Sequence, residues 1–229
     1  MKSNSNHNEV RREVVGLGTE AWSKRKGRLS TIGKEFIRSA RPHPRRMAYA
    51  DSTGKELSYM KALIGAIVLS KKLRKTWKGQ ENVGILLPPS VGGALTNLAG
   101  ILMGKTVVNL NYTLSEEAIQ SCVEQCDIRF VISSEKVIRK LNLDPGVPVI
   151  ALEDIAKGTS RLQKLSAALM AYLIPRGLLL KLTAQERVHT LDDTATIIFS
   201  SGSTGEPKGA MLSHYTVSYT HLRAHETLR

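Results

Sequence analysis

Cysteine is scarce in this chain: two in 229 residues, which argues against a disulfide framework and for a reducing compartment. Aromatics are also few, at 5%, so the core is expected to be built from aliphatics and alanine. No apolar stretch opens the chain, because "MKSNSNHNEV" lacks the hydrophobic segment of a secretory signal. No uninterrupted apolar run approaches the ~20 residues that a bilayer span requires. The cytoplasm is the expected location. No internal repeat is visible. The remaining shortage is of acids. Lys and Arg total 33 against 20 Asp and Glu, a formal charge of +13.

The excess is uneven. Residues 1–46 carry twelve Lys and Arg against four acids, which sets this basic arm apart from the balanced residues 47–216. A row of cations attracts polyanions, but no aromatic interleaving or nucleic-acid module accompanies it. The plainer reading is a solvated lead-in, and no nucleic-acid partner is expected. Within the arm, "EFIRSARPHP" places Phe36 and Ile37 on a short helix ahead of Pro42.

After Pro44 the pattern becomes regular. "RMAYADSTGKELSY" reads as two short strands around a turn. "MKALIGAIVLSKKLRKTW" puts Met60, Leu63, Ile64, Ile67 and Val68 on one helical face, with Lys71, Lys72 and Lys75 towards solvent. "NVGILLP" is a continuous apolar run stopped by proline, as expected of a strand buried on both faces. "SVGGALTNLAGILMG" is a small-residue helix suited to close approach to a sheet, and "KTVVNLN" is a further strand. In "TLSEEAIQSCVEQC", Thr113 and Glu116 form a candidate capping box. Ala118, Cys122, Val123 and Cys126 then share a face, so the thiols are expected to pack in the core. "IRFVISS", "EKVIRKL" and "VPVIAL" continue the strand–helix–strand alternation. Such alternation defines an α/β fold with a mostly parallel sheet flanked by helices.

"RLQKLSAALMAYLIPRGLLLKL", residues Arg161 to Leu182, breaks the pattern. It admits two readings: an interfacial helix touching lipid, or a surface helix with a wide buried stripe, broken at Pro175 and Gly177. The second is the expectation.

The densest chemistry lies in "TATIIFSSGSTGEPKGAMLSH". Ala195–Phe199 and Ala210–Ser213 read as two strands, and the loop between them joins a hairpin. Gly202 and Gly205 let backbone N–H groups converge, and Ser200, Ser201, Ser203 and Thr204 add hydroxyl donors. Lys208 supplies a cation and Pro207 stiffens the approach to it. This set suits a polyanion the size of a triphosphate tail. It contains no carboxylate–histidine pairing, so it reads as a clamp and not as an acid–base centre. A generic Ser/Gly turn is the plain alternative. The G-x-x-x-x-G-K-[ST] nucleotide loop fails, because Lys208 is followed by Gly209 and no helix start.

Residues Ile197 to Lys208 resemble, position by position, the phosphate loop of the adenylate-forming enzymes: acyl-CoA synthetases, luciferases and peptide-synthetase adenylation domains. The segment from Gly84 to Ile119 is similar to fatty acyl ligases. "NLNYT" at Asn109 to Thr113 is similar to the acyl-acyl-carrier-protein synthetase branch. The resemblance implies the N-terminal part of a large adenylation domain, with the phosphate loop between two strands. It implies ATP and Mg²⁺ as cofactors, a fatty acid as substrate, and CoA or the phosphopantetheine of acyl carrier protein as acceptor. By the same resemblance Ser200, Ser201, Gly202, Ser203, Thr204 and Gly205 wrap the β and γ phosphates. Lys208 helps to neutralise them, and Thr204 stands closest to Mg²⁺.

The family's catalytic landmarks lie beyond this loop, so the chain is expected to be a fragment without ligase activity, half a sheet with an open edge. Residues 217–229 do not resemble the family, and "VSYTHLRAHET" resembles a translated sequencing adapter. His221 and His225 stand four apart but lack an acidic partner for a metal. The rival reading is a non-catalytic protein that binds nucleotide or a membrane surface.

Overall fold

The computed structural model describes residues 29–141, 143–200 and 206–218. Its centre is a six-stranded sheet in the order β6-β5-β3-β4-β7-β8. The strands are β3 (Asn82–Ile85), β4 (Thr106–Asn109), β5 (Val131–Ser133), β6 (Val149–Ala151), β7 (Thr194–Ser200) and β8 (Lys208–Ser213). All neighbouring pairs are parallel except β7 and β8. A small antiparallel ribbon, β1 (Met47–Ala50) with β2 (Glu56–Ser58), precedes the sheet. The α/β expectation holds, and both strands of the expected hairpin are present.

Alternation along the strands divides the core. Val83, Ile85, Val107 and Ile132 face one way, where they meet Trp77 and Met103. Val108, Val131, Ile197 and Phe199 face the other, against Ile119, Cys122 and Val123 of α4 (Glu116–Gln125). Val83, Gly84 and Ile85 are all buried, as a central parallel strand requires. Helix α3 (Val91–Leu102) covers the first face. A Cβ on its Gly100 would stand 2.8 Å from a Val107 methyl, so glycine sets how closely α3 approaches the sheet.

A second layer of helices packs outside α3. It comprises α1 (Ile32–Ala40), α2 (Tyr59–Leu73), α7 (Arg161–Leu173) and α8 (Arg176–Thr183). Ile37, Ala40, Leu63 and Ile67 are fully buried there. The helix expected inside the basic arm is therefore part of the core, because Ile37 and Ala40 give it an inward face. Residues 1–28 lie outside the described residues. The short helices α5 (Glu135–Leu141) and α6 (Leu152–Lys157) flank β6.

Serines start five of these helices, α5 among them, where the Ser134 hydroxyl accepts from the Val137 amide at 3.2 Å. The hydroxyls of Ser58, Ser90, Ser115 and Ser160 accept from the amides of Lys61, Gly93, Ala118 and Gln163. The cap of α4 is thus Ser115 and not Thr113, whose hydroxyl donates to Asn111 Oδ1 at 2.8 Å. The full capping box occurs at α7, where Gln163 Oε1 accepts from the Ser160 amide at 3.1 Å.

The stretch from Arg161 to Leu182 departs from expectation. It breaks before Pro175, as its sequence indicates, but its buried stripe is narrow. Only Ala167 and Ala171 of α7, with Leu179, Leu180 and Thr183 of α8, are buried. The physical reason is size: α7 packs through methyl side chains, and its leucines point elsewhere.

Candidate functional site

The hairpin β7–β8 carries the hydroxyl-glycine loop. Its ladder runs from Thr194↔Ser213 at the base to Ser200↔Lys208 at the tip. Because β7 is parallel to β4, the loop leaves the carboxyl end of the parallel sheet, where open α/β sheets place their ligands. Ser200 and Lys208 are both exposed there, and Lys208 forms no ion pair among the described residues. Ser201, Gly202, Ser203, Thr204 and Gly205, including the candidate Mg²⁺ residue Thr204, lie outside the described residues.

The loop's flanks are held firmly. Pro207 is buried, and its carbonyl accepts from Gln125 Nε2 at 3.3 Å. Gly209 lies beneath Phe199, where a Cβ would stand 3.2 Å from the ring. On the neighbouring strand Asn109 exchanges two side-chain hydrogen bonds of 2.9 Å with Asn97 of α3. Thr196 Oγ1 donates to the Val107 carbonyl at 2.7 Å. A rigid frame thus carries a hydroxyl, a lysine and a short tether of small residues. The donor chemistry fits a phosphate group, with hydroxyl and ammonium protons at the mouth and no described carboxylate bonded to Lys208.

Cys122 and Cys126 are buried free thiols packed against Val108 and Val131. Burial pushes both thiols up, Cys122 to about 11 with a further contribution from Cys126. They are held protonated and serve packing. His221 and His225 lie outside the described residues.

Gln125 and Asn97 carry no sequence signal for these contacts, since their partners stand 82 and 12 positions away. No local pattern signals such pairs. A second unforeseen feature lies at the opposite end of the hairpin. His189, in the segment before β7, and His214, just after β8, are buried against each other. Burial first, then the neighbouring His189, depresses His214 to about 4, and burial also lowers His189.

A mixed six-stranded sheet, parallel but for its last pair and covered by helices, with a hairpin that turns at its carboxyl end, defines the class: an open-sheet α/β domain. The chain belongs to the AMP-binding enzyme family, whose model matches residues 36–228. It is similar to syringomycin synthase SyrB1 of Pseudomonas syringae pv. syringae, 31% identical over 80% of this chain and 26% of that protein. It is also similar to the long-chain-fatty-acid–CoA ligase ACSBG2 of Rattus norvegicus, 28% identical over 61% of this chain and 22% of that protein. Among solved structures, the N-terminal subdomain of NpsA from Klebsiella oxytoca, in complex with 3-hydroxybenzoyl-AMSN, aligns with a TM-score of 0.63. That match is 19% identical, covers 83% of this chain and 42% of that chain, and bears on the fold alone. The chain spans about a quarter of the length of these two curated relatives.

Proposed function

We propose that this chain supplies the phosphate-gripping part of an ATP-dependent acid-thiol ligase. A carboxylate oxygen attacks the α-phosphorus of ATP, the bond to pyrophosphate breaks, and an acyl-adenylate forms. A thiol of CoA or of acyl carrier protein then takes the acyl group and releases AMP. The substrate of this reading is a long-chain fatty acid. Its support is the similarity of residues 194–214 and of the preceding strands to acyl ligases, together with a relative named as a fatty-acid–CoA ligase.

One observation carries the reading: β7 ends at Ser200 and β8 begins at Lys208 at the carboxyl end of the sheet, and the sequence that joins them is rich in hydroxyls and glycines. The negative charge that develops on departing pyrophosphate calls for preorganised donors of this kind. Ser200, Ser201, Ser203 and Thr204 would donate hydroxyl protons, Gly202 and Gly205 backbone amides, and Lys208 a cation. Mg²⁺, when bound with ATP, would offset phosphate charge near Thr204. No general base is assigned to this loop.

The 229 residues are also proposed to lack turnover alone. Support comes from the open edge strand β8 and from the uncovered Ile198 and Met211, 48% and 68% exposed, beside the loop. Titration calorimetry with Mg·ATP, and separately with pyrophosphate, tests the grip. Lys208→Ala is expected to weaken binding by roughly tenfold, the scale of one charge-assisted hydrogen bond. Wild-type chain that binds neither, or a variant that binds both equally well, refutes it. Carboxylate-dependent pyrophosphate exchange by these residues alone would refute the inactivity.

A further inference from the structure

Helix α7 is two-faced in an unusual sense. Ala167 and Ala171 are fully buried against the helical layer. On the opposite side stand Leu162, Leu165, Leu169, Tyr172 and Leu173, exposed by 77%, 57%, 52%, 57% and 72%. With about 3.6 residues per turn, positions 162, 165, 169, 172 and 173 form one continuous stripe pointing away from the core. Leu178 and Leu182 of α8, each 48% exposed, add a second turn of apolar surface. Scattered exposed leucines need no explanation, whereas a contiguous stripe does.

The orientation is locked by polar contacts. Arg41 of the segment after α1 donates through Nε to the Ala171 carbonyl at 3.1 Å and through Nη2 to the Ile174 carbonyl. Arg74 donates to the carbonyls of Leu182, Thr183 and Ala184 at 2.9–3.2 Å. Both helices thus have arginines on their carboxyl ends. Ser160 and Gln163 close the start of α7, and Lys71 Nζ meets Ser166 Oγ at 3.2 Å. The apolar stripe is held outward by design of these contacts.

Charge selects the occupant. Residues 155–185 contain no Asp or Glu but five cations: Lys157, Arg161, Lys164, Arg176 and Lys181. Lys157 is bound to Glu135 and Asp154. The other four are exposed and form no ion pair among the described residues. An exposed apolar stripe in a segment whose unpaired charges are all cations matches a bilayer surface with anionic headgroups. No helix among the described residues is long and apolar enough to cross a membrane, so this one would lie on the surface and not through it.

We infer that the α7–α8 hairpin is an interfacial element that seats the protein on an anionic membrane surface. Leu162, Leu165, Leu169, Tyr172 and Leu173 enter the headgroup–acyl boundary, and Arg161, Arg176 and Lys181 meet lipid phosphates. The inference goes beyond the nucleotide loop and does not depend on it.

The test is co-sedimentation of the 229-residue chain, without nucleotide, with vesicles of equimolar phosphatidylglycerol and phosphatidylcholine, and with vesicles of phosphatidylcholine alone. Sedimentation with the anionic vesicles is expected, and much less with the neutral ones. Leu165→Glu with Leu169→Glu is expected to lower the partition by about tenfold or more, with an unchanged melting temperature because both side chains are already exposed. Arg161→Gln with Arg176→Gln is expected to lower it by about tenfold on anionic vesicles only. Chain that stays in the supernatant, equal binding to both vesicle types, or binding untouched by the leucine changes would overturn the inference. So would sedimentation equilibrium showing a dimer that the leucine changes abolish, since the stripe would then belong to a second copy.

Discussion

His189 Nδ1 and His214 Nε2 stand 3.2 Å apart, buried at the base of the β7–β8 hairpin, the end away from its hydroxyl-glycine loop. The amide of Ile32 donates to His214 Nδ1 at 3.4 Å, which leaves the His214 proton on Nε2. That proton is donated to His189 Nδ1, so both rings are neutral. One hydrogen-bonded chain thus runs from the start of α1, through His214, to His189.

Acid should break it. Burial holds both histidines below the ordinary 6.5, and the neighbouring His189 lowers His214 further. Among nearby charges, Asp193 and Glu81 raise His189 while Arg187 and Lys105 lower it. A depressed histidine binds fewer protons folded than unfolded, so stability is complete above pH 6.5 and falls as pH drops towards 4. The expected loss for His214 is about 3 kcal/mol by pH 4. Asp193, depressed to about 2, loses its contribution only below 3.8, so the two windows separate. Urea unfolding between pH 7 and 4 measures the first. A flat profile across that window would contradict the neutral pair.

Lys105 presents a different case, a buried lysine whose ion-pair partner sits at the surface. Its side chain is 0% exposed, and Nζ reaches the Gln80 carbonyl at 2.5 Å and Glu186 Oε2 at 2.7 Å. Glu186 is half exposed; desolvation pushes its pKa up, but the Lys105 hydrogen bond and the Gly79 amide outweigh it. Glu186→Ala should cost about 2 kcal/mol, because it strands the ammonium in the interior. Lys105→Met, which removes the charge as well, should cost less. Thermal melts of the two variants decide the order, and the reverse order would contradict this account.

Gly104 follows α3 and turns the chain into β4 with φ +69°, and a Cβ there would stand 2.2 Å from the Arg187 carbonyl oxygen. The left-handed backbone and the clash with main chain act together, so Gly104→Ala should destabilise by about 3 kcal/mol or more. Chemical denaturation reads the value. A loss below about 1 kcal/mol would mean that the segment before β7 yields easily.

Most of this architecture was legible because it rests on local pattern. "NVGIL" reads as a doubly buried strand, and "SSGSTGEPKG" between two β-branched runs reads as a loop on a hairpin. The rest depends on which of several local or distant partners a side chain finds in the fold. Ser115 displaced Thr113 as the cap by a shift of two residues, because Asn111 claims the Thr113 hydroxyl. Periodicity shows that α7 has an apolar stripe, but not which side faces inward. The small Ala167 and Ala171 take the inner side because the leucines of the layer beneath already fill it. Gln125 gives no signal at all, since its partner is a main-chain carbonyl 82 residues on.

That last contact predicts a separation of stability from binding. Gln125 ends α4 and donates to the Pro207 carbonyl at 3.3 Å, one residue before Lys208. It also donates to Ser121 Oγ at 3.1 Å. Gln125→Leu keeps the side chain's bulk and removes its donor. A single part-buried hydrogen bond is worth about 1 kcal/mol, so the melting temperature should barely move. If the proline carbonyl fixes where Lys208 enters the loop, the lost anchor should weaken Mg·ATP binding by about threefold to tenfold. Calorimetry on the variant beside Lys208→Ala distinguishes positioning from contact. Gln125→Leu should leave the salt dependence of binding intact, whereas Lys208→Ala should flatten it, because only the lysine carries charge to the phosphates. Equal flattening by both would show that Gln125 holds Lys208 in its charged contact, and no effect of Gln125→Leu would release α4 from any part in the site.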